Sequence, residues 1–240
     1  MGHSTTESLA ARYQAVQATL AVACHAAGRA REAVQLVAVS KTRTAAEIRA
    51  LTTLGQRHFA ENYLSEALPK IAALADLPLC WHFIGPLQSN KTVDIARHFD
   101  WVHSVDRPKV ARRLNDQRPS SRPPLAVCIQ VNIDAEASKA GVAIDQVADL
   151  AGQIATLPQL SLRGLMAIPR PDSEDQGRAA FRQLAMTLSS IRNTIAGPGV
   201  LSMGMSDDVA VAIAEGATHV RLGTALFGPR PAPLTGTEDR

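Results

Sequence analysis

Short β-branched and aliphatic runs alternate along this chain with longer stretches whose apolar positions recur at helical spacing. Leu9, Tyr13, Val16 and Leu20 place a first helix from about Thr5 to Ala27, with Gly28 as its stop signal. The run Leu36 to Ser40 then reads as a strand that ends at Lys41. Thr44 caps a helix over Ala45 to Leu54, closed by Gly55. Further strands are expected at His58 to Tyr63, Trp81 to Gly85, Trp101 to Val105 and Ala126 to Asn132. The last three are expected at Leu162 to Ile168, Val200 to Gly204 and Val220 to Gly223. Helical patterns fill the gaps at Leu64 to Leu74, Ser89 to His98, Arg107 to Asp116, Ile144 to Thr156, Glu174 to Ile195 and Asp207 to Glu215. Strand starts recur at about 26 residues, the length of one βα unit. Eight such units favour a single (β/α)8 TIM barrel with an extra N-terminal helix, over residues 1–30, and an open α/β sheet is the alternative. The Pro-rich stretch Pro119 to Pro124 is a loop, because the rhythm continues across it. Residues 229–240 are expected to form a surface tail, so that 1–240 is one domain.

Composition narrows the picture. Apolar residues make up 46% of the chain and aromatics 4%, so the core must be built mainly from Ala, Val, Leu and Ile. The formal charge is +3, and the basic residues are scattered rather than gathered in runs, which argues against nucleic acid as a partner. Cys24, Cys80 and Cys128 are odd in number and widely spaced, so neither a disulfide framework nor a zinc motif is indicated. The polar start of the chain has no signal-peptide pattern, and no run of about 18 apolar residues suggests a membrane span. A reducing, cytoplasmic setting is the expectation.

Candidate chemistry lies where a barrel puts it, at the C-terminal ends of the strands. By alternation Lys41 shares a face with Val37 and Val39. Directed into the barrel mouth, its amine would be desolvated and nucleophilic; directed outward, it is a solvated lysine opening a helix. Both readings stand on this segment alone. Gly223 and Thr224 close the eighth strand, where backbone N–H groups often hold phosphate. Ser206 is expected at the N-cap of the helix after strand seven, either as a second anion-binding position or as a plain cap, a common role there. Asn62 suits a hydrogen bond to a ligand oxygen, with an Asx turn equally ordinary, and His82 lies in a strand core, where a satisfied buried histidine is the preferred reading. No His/Asp/Glu triplet has metal-ligand spacing, so no metal is expected.

Eight segments together carry a resemblance. They are VAVSKTRT (Val37 to Thr44), FAENY (Phe59 to Tyr63), WHFIGPLQSNK (Trp81 to Lys91), HSVDR (His103 to Arg107), QVNID (Gln130 to Asp134), RGLMAIP (Arg163 to Pro169), LSMGMSDD (Leu201 to Asp208) and VRLGTALFG (Val220 to Gly228). The set resembles the YggS/PROSC family of pyridoxal phosphate homeostasis proteins, whose barrel is similar to the N-terminal domain of alanine racemase. The resemblance implies pyridoxal 5′-phosphate (PLP) as cofactor, held as a Schiff base on Lys41. It implies phosphate contacts at Ser206, Gly223 and Thr224, Arg221 facing the pyridine nitrogen, and Asn62 and Met166 lining the cofactor. His82 joins this set of candidate cofactor residues. Ala60 stands where the family pattern has Gly.

An arginine stays protonated at working pH and cannot usefully protonate the ring nitrogen, so Arg221 favours a carrier over a catalyst. The racemase takes a second base from another domain, and the residues after Gly228 are too few to build one. Tyr63 is the one tyrosine near the mouth. The resemblance therefore implies a monomeric, non-catalytic protein that serves PLP homeostasis and meets apo PLP-dependent enzymes transiently. A PLP-dependent amino-acid racemase or lyase is the alternative, and a barrel aldolase using a lysine without PLP is a third.

Overall fold

Parallel strands buried on both faces need apolar residues in both directions, and that is how the aliphatic runs are used. The computed structural model describes residues 8–134, 136, 140–169 and 174–229. Its strands are β1 (Gln35–Val39), β2 (His58–Glu61), β3 (Cys80–Phe83), β4 (Trp101–Val105), β5 (Leu125–Gln130), β6 (Leu160–Met166), β7 (Val200–Ser202) and β8 (His219–Leu222). They pair in sequence order, all parallel, and β8 returns to β1 to close the barrel. The helices are α1 (Leu9–Ala26), α2 (Ala45–Thr53), α3 (Leu64–Ala73), α4 (Thr92–His98), α5 (Pro108–Gln117), α6 (Val147–Ala155), α7 (Glu174–Ser190), α8 (Val209–Ala214) and α9 (Thr224–Phe227). The open-sheet alternative is thereby excluded, and the barrel with its extra N-terminal helix is the fold.

Alternation sorts each strand. Leu36 and Ala38 of β1 join the large apolar layer between barrel and helices. Val37, one residue out of phase, lies beside Arg221 across the β1–β8 seam, so both face the barrel interior. A second, smaller cluster inside the barrel joins Cys128, Met166 and Val200, with Trp101 against it. Polar side chains, four histidines among them, fill much of the remaining interior. Helix α1 is tied across the closure: Arg12 Nε donates to the Leu226 carbonyl (2.9 Å) and Arg29 to the Ile213 carbonyl (2.8 Å).

Several boundaries move from their expected places. The N-cap of α1 is Ser8, which accepts from the Ala11 N–H; the expected start at Thr5 lies outside the described residues, as does the tail from 230. Helix α4 begins at Thr92 rather than Ser89, and α7 ends at Ser190, with a separate 3-10 turn at Arg192–Thr194 beyond it. Helix α8 begins at Val209 with Asp208 at its N-cap. Among the described residues no helix is long and apolar enough to cross a membrane.

Candidate functional site

Lys41 comes directly after β1, and the residues on either side of it are pinned. Before it, buried Ser40 donates to Glu61 Oε1 (2.6 Å), and its carbonyl accepts from Lys70 Nζ (2.9 Å). Lys70 Nζ also meets Glu61 Oε1 at 2.8 Å, a buried ion pair between the end of β2 and α3. After Lys41, the Thr42 N–H donates to Glu66 Oε2 (2.7 Å). Thr42 has φ +64°, the single non-glycine residue among those described with a left-handed backbone. A β-branched residue there is strained by about 1 kcal/mol or more and persists only where the surroundings enforce it. The turn is thus held in one shape around Lys41, which is half-buried. Burial holds the Glu61 carboxyl above the usual carboxylate range, and the Lys70 and Ser40 hydrogen bonds oppose that shift.

Opposite Lys41 stands the end of β8. A small pocket of about 40 Å³ is lined by Val39, Lys41, Thr42, Arg43, Gly223 and Thr224. Gly223 keeps it open: a Cβ there would lie 3.3 Å from the Val39 carbonyl oxygen. Thr224 opens α9, so the first N–H groups of this helical turn have no partner within it. Strand β7 ends alongside, joined through the Arg221 N–H to the Gly204 carbonyl (3.0 Å). Asn62 comes directly after β2, and its buried Oδ1 has no hydrogen-bond partner among the described residues. Gly85 allows the neighbouring loop to approach, since a Cβ there would collide with the Asn62 carbonyl. Ala60, the departure from the family pattern, sits buried in regular strand paired with Val39 and His82. Its methyl therefore leaves the backbone beside Asn62 undistorted.

Arg221 is buried and donates to Ser202 Oγ (2.7 Å) and to the Ala167 carbonyl (3.0 Å). Burial pushes the guanidinium down to about 10, which leaves it cationic at neutral pH. Met166, the last residue of β6, lies beside Ser202 in register and is fully buried inside the barrel. From Ser202 a chain of imidazoles runs back through the barrel. His103 Nδ1 meets Ser202 Oγ at 2.7 Å, His103 Nε2 meets His82 Nδ1 at 2.8 Å, and His82 Nε2 meets His58 Nδ1 at 3.0 Å. Burial drives His82 and His103 well below the ordinary histidine value, so both are neutral.

Two expectations need correction. Ser206 is not the N-cap of α8: it is exposed in the turn before it, and Asp208 holds that position. Three capping-type residues stand in a row, and the third one ends the turn, with its Oδ1 accepting from the Met205 N–H (2.5 Å). His82 does not present a ring nitrogen at the mouth, because both nitrogens are engaged inside the barrel. Glu61 reads from the sequence only as a polar strand end, and its anchors Glu66 and Lys70 belong to no motif, although they share one face of α3 at i,i+4 spacing. The histidine chain likewise belongs to no motif. Its signal was present, since His58, His82 and His103 recur at roughly one βα unit.

Comparison with known proteins gives a result consistent with this geometry. The family model for the alanine racemase N-terminal domain matches residues 12–231. A pyridoxal phosphate homeostasis protein of Pseudomonas aeruginosa is 56% identical over 216 residues, covering 90% of this chain and 93% of that protein. One of the same name from Escherichia coli is 47% identical over 219 residues, 90% of this chain and 94% of that one. Among solved structures, PipY of Synechococcus elongatus with PLP bound superposes with a TM-score of 0.79 at 36% identity, over 92% of this chain and 100% of that one. Alanine racemase from Corynebacterium glutamicum, at 16% identity and TM-score 0.67, matches 93% of this chain and 63% of its own and shares the fold.

Proposed function

The chain belongs to the family of the alanine racemase N-terminal domain, and from that premise we propose that it binds pyridoxal 5′-phosphate on Lys41 and serves PLP homeostasis. The observation that carries this reading is the pocket that joins Lys41 to Gly223 and Thr224. It sets a half-buried amine against a backbone cradle where a Cβ would crowd Val39, and Asn62, directly after β2, adds a buried Oδ1 without a partner among the described residues. Amine, backbone cradle and polar contact are what the cofactor requires. When bound, PLP supplies an aldehyde that joins a lysine amine and a pyridine ring that can withdraw electrons.

The residues of this chain would divide the work among them. Lys41 Nζ is the attachment point, and the pinned turn from Ser40 to Thr42 holds it in place. The N–H groups of Gly223 and Thr224, with the Ser206 hydroxyl, hold phosphate. Asn62 and Met166 line the cofactor, and Arg221 faces the ring nitrogen. A buried arginine still cationic at neutral pH keeps that nitrogen unprotonated and the ring a weak electron sink. Tyr63, the one candidate for a second base, is 55% exposed at the N-cap of α3. The protein therefore carries PLP without robust turnover, and in this reading it acts as a monomer that limits free aldehyde and passes cofactor transiently to apoenzymes.

The test is hydrogen exchange. The PLP-loaded protein, incubated with L- and D-amino acids in deuterated water, should exchange α-protons and racemise no faster than the Lys41→Ala variant. Exchange well above that variant would replace the carrier with a racemase or lyase.

A further inference from the structure

Opposite the mouth, at the N-terminal end of the barrel, three ligand-type side chains converge. His58 and Cys80 are register partners at the starts of β2 and β3, and His82 is two residues above Cys80 on the same inward face. His58 Nδ1 lies 3.0 Å and Cys80 Sγ 3.4 Å from His82 Nε2, and one ligand atom from each of the three residues lies within 4.8 Å of the others. We propose that this cluster is a zinc site, with His58 Nδ1, Cys80 Sγ and His82 Nε2 as its protein ligands.

The geometry is that of a ligand set. Tetrahedral zinc with Zn–N near 2.0 Å and Zn–S near 2.3 Å separates its ligand atoms by roughly 3.3–3.6 Å. The two measured separations lie within about 0.4 Å of that range, and small side-chain rotations close the gap. Convergence is the second argument. His82 Nε2 has a single lone pair or a single proton, yet both His58 and Cys80 approach it; one proton satisfies one of them, whereas a metal ion satisfies all three. Two imidazoles and a thiolate favour a borderline-soft ion such as zinc over magnesium or calcium.

The outer shell fits as well. A ligating histidine usually donates its other N–H to a fixed acceptor. His82 Nδ1 meets His103 Nε2 at 2.8 Å, and His103 Nδ1 continues to Ser202 Oγ at 2.7 Å. Asp100, whose negative charge acts on both His58 and Cys80, is held by the Trp81 N–H and by Arg122 and provides a counter-charge. His58 and Cys80 are half-buried while His82 is buried, so the site opens toward the N-terminal end of the barrel. On binding, Cys80 releases its thiol proton to solvent, and the two histidines remain neutral with their protons on the nitrogens away from the metal. Zinc would thereby fix His82 as an Nδ1–H donor and set one direction along the whole chain to Ser202, which also accepts from Arg221. The motif is invisible to spacing rules because its ligands come from neighbouring strands, which is why no metal is expected from sequence.

The experiment is equilibrium dialysis of the tag-free full-length protein against zinc chloride, with bound metal counted by atomic emission. One equivalent per chain is expected, weakened at least tenfold in Cys80→Ser and in His58→Gln and unchanged in Lys41→Ala, which excludes chelation by PLP. Both affected positions are half-buried at strand ends, and melting curves verify that the variants are folded. X-ray absorption at the zinc edge should show one sulfur and at least two nitrogen neighbours. Absence of an equivalent, a sulfur-free spectrum, or wild-type binding in the folded Cys80 and His58 variants would overturn the assignment.

Discussion

Replacing Lys70 with Met separates the stability of the Lys41 turn from its positioning. Lys70 Nζ neutralises Glu61, which is wholly buried, and also caps the Ser40 carbonyl. Removing one member of a buried pair typically costs about 3–5 kcal/mol, because the partner is left charged or must take up a proton. At about 2–4 °C per kcal/mol for a chain of this size, the melting temperature should fall by on the order of 10 °C. The pH dependence has a definite sign. Burial already raises Glu61, and losing Lys70 raises it further. A carboxyl raised in the folded state loses stability as pH climbs above its unfolded value, so the deficit should be smallest in mild acid and grow toward neutrality. The double variant Lys70→Met/Glu61→Leu removes both charges, while Ser40 Oγ keeps the Ala60 carbonyl as acceptor (3.3 Å). It should recover most of the stability. Both variants lose the peg on Ser40, so both should bind PLP more weakly. Chemical denaturation of the cofactor-free proteins, with PLP titrations alongside, gives the two readouts. A single variant as stable as the wild type would refute the buried pair, and full PLP affinity in the double variant would refute the positioning role.

The barrel interior supports two more expectations. Arg221→Ala should weaken PLP retention about tenfold or more without creating racemase activity, and unchanged affinity on titration would remove Arg221 from the site. Burial holds His82, His103 and His219 neutral, His219 down at about 4 against an ordinary 6.5. A histidine lowered on folding contributes stability that is full above its unfolded value and is lost as pH falls. Urea midpoints should therefore decline as pH falls from near 6.5 toward about 4, and a flat profile would contradict buried neutral imidazoles.

Much of the scaffold is legible in the sequence because a parallel strand buried on both faces writes itself as a short aliphatic run. Leu36 to Val39 is such a run, and Thr44 and Gly55 mark the two ends of the helix after it. Boundaries slip where several residues compete for one role, as Ser206, Asp207 and Asp208 do before α8. Polar contacts inside the barrel are harder to read, because they join residues that the fold, not the chain, makes neighbours. Glu61 reads as a polar strand end, and only α3 packing against β2 gives it Lys70. His82 reads as a lone histidine until adjacent strands bring His58 and His103 to its two nitrogens. Lys41 is ambiguous from its own segment, and its partner in the pocket, Gly223, lies at the end of the last strand of the barrel.

The central claim concerns that lysine, and an absorption spectrum tests it directly. Full-length protein mixed with PLP should show a visible band that borohydride shifts, with the reduced label recovered on the peptide containing Lys41. Lys41→Ala should lose both band and label. A band that survives in this variant, or a label recovered on another lysine in the wild type, would contradict the account.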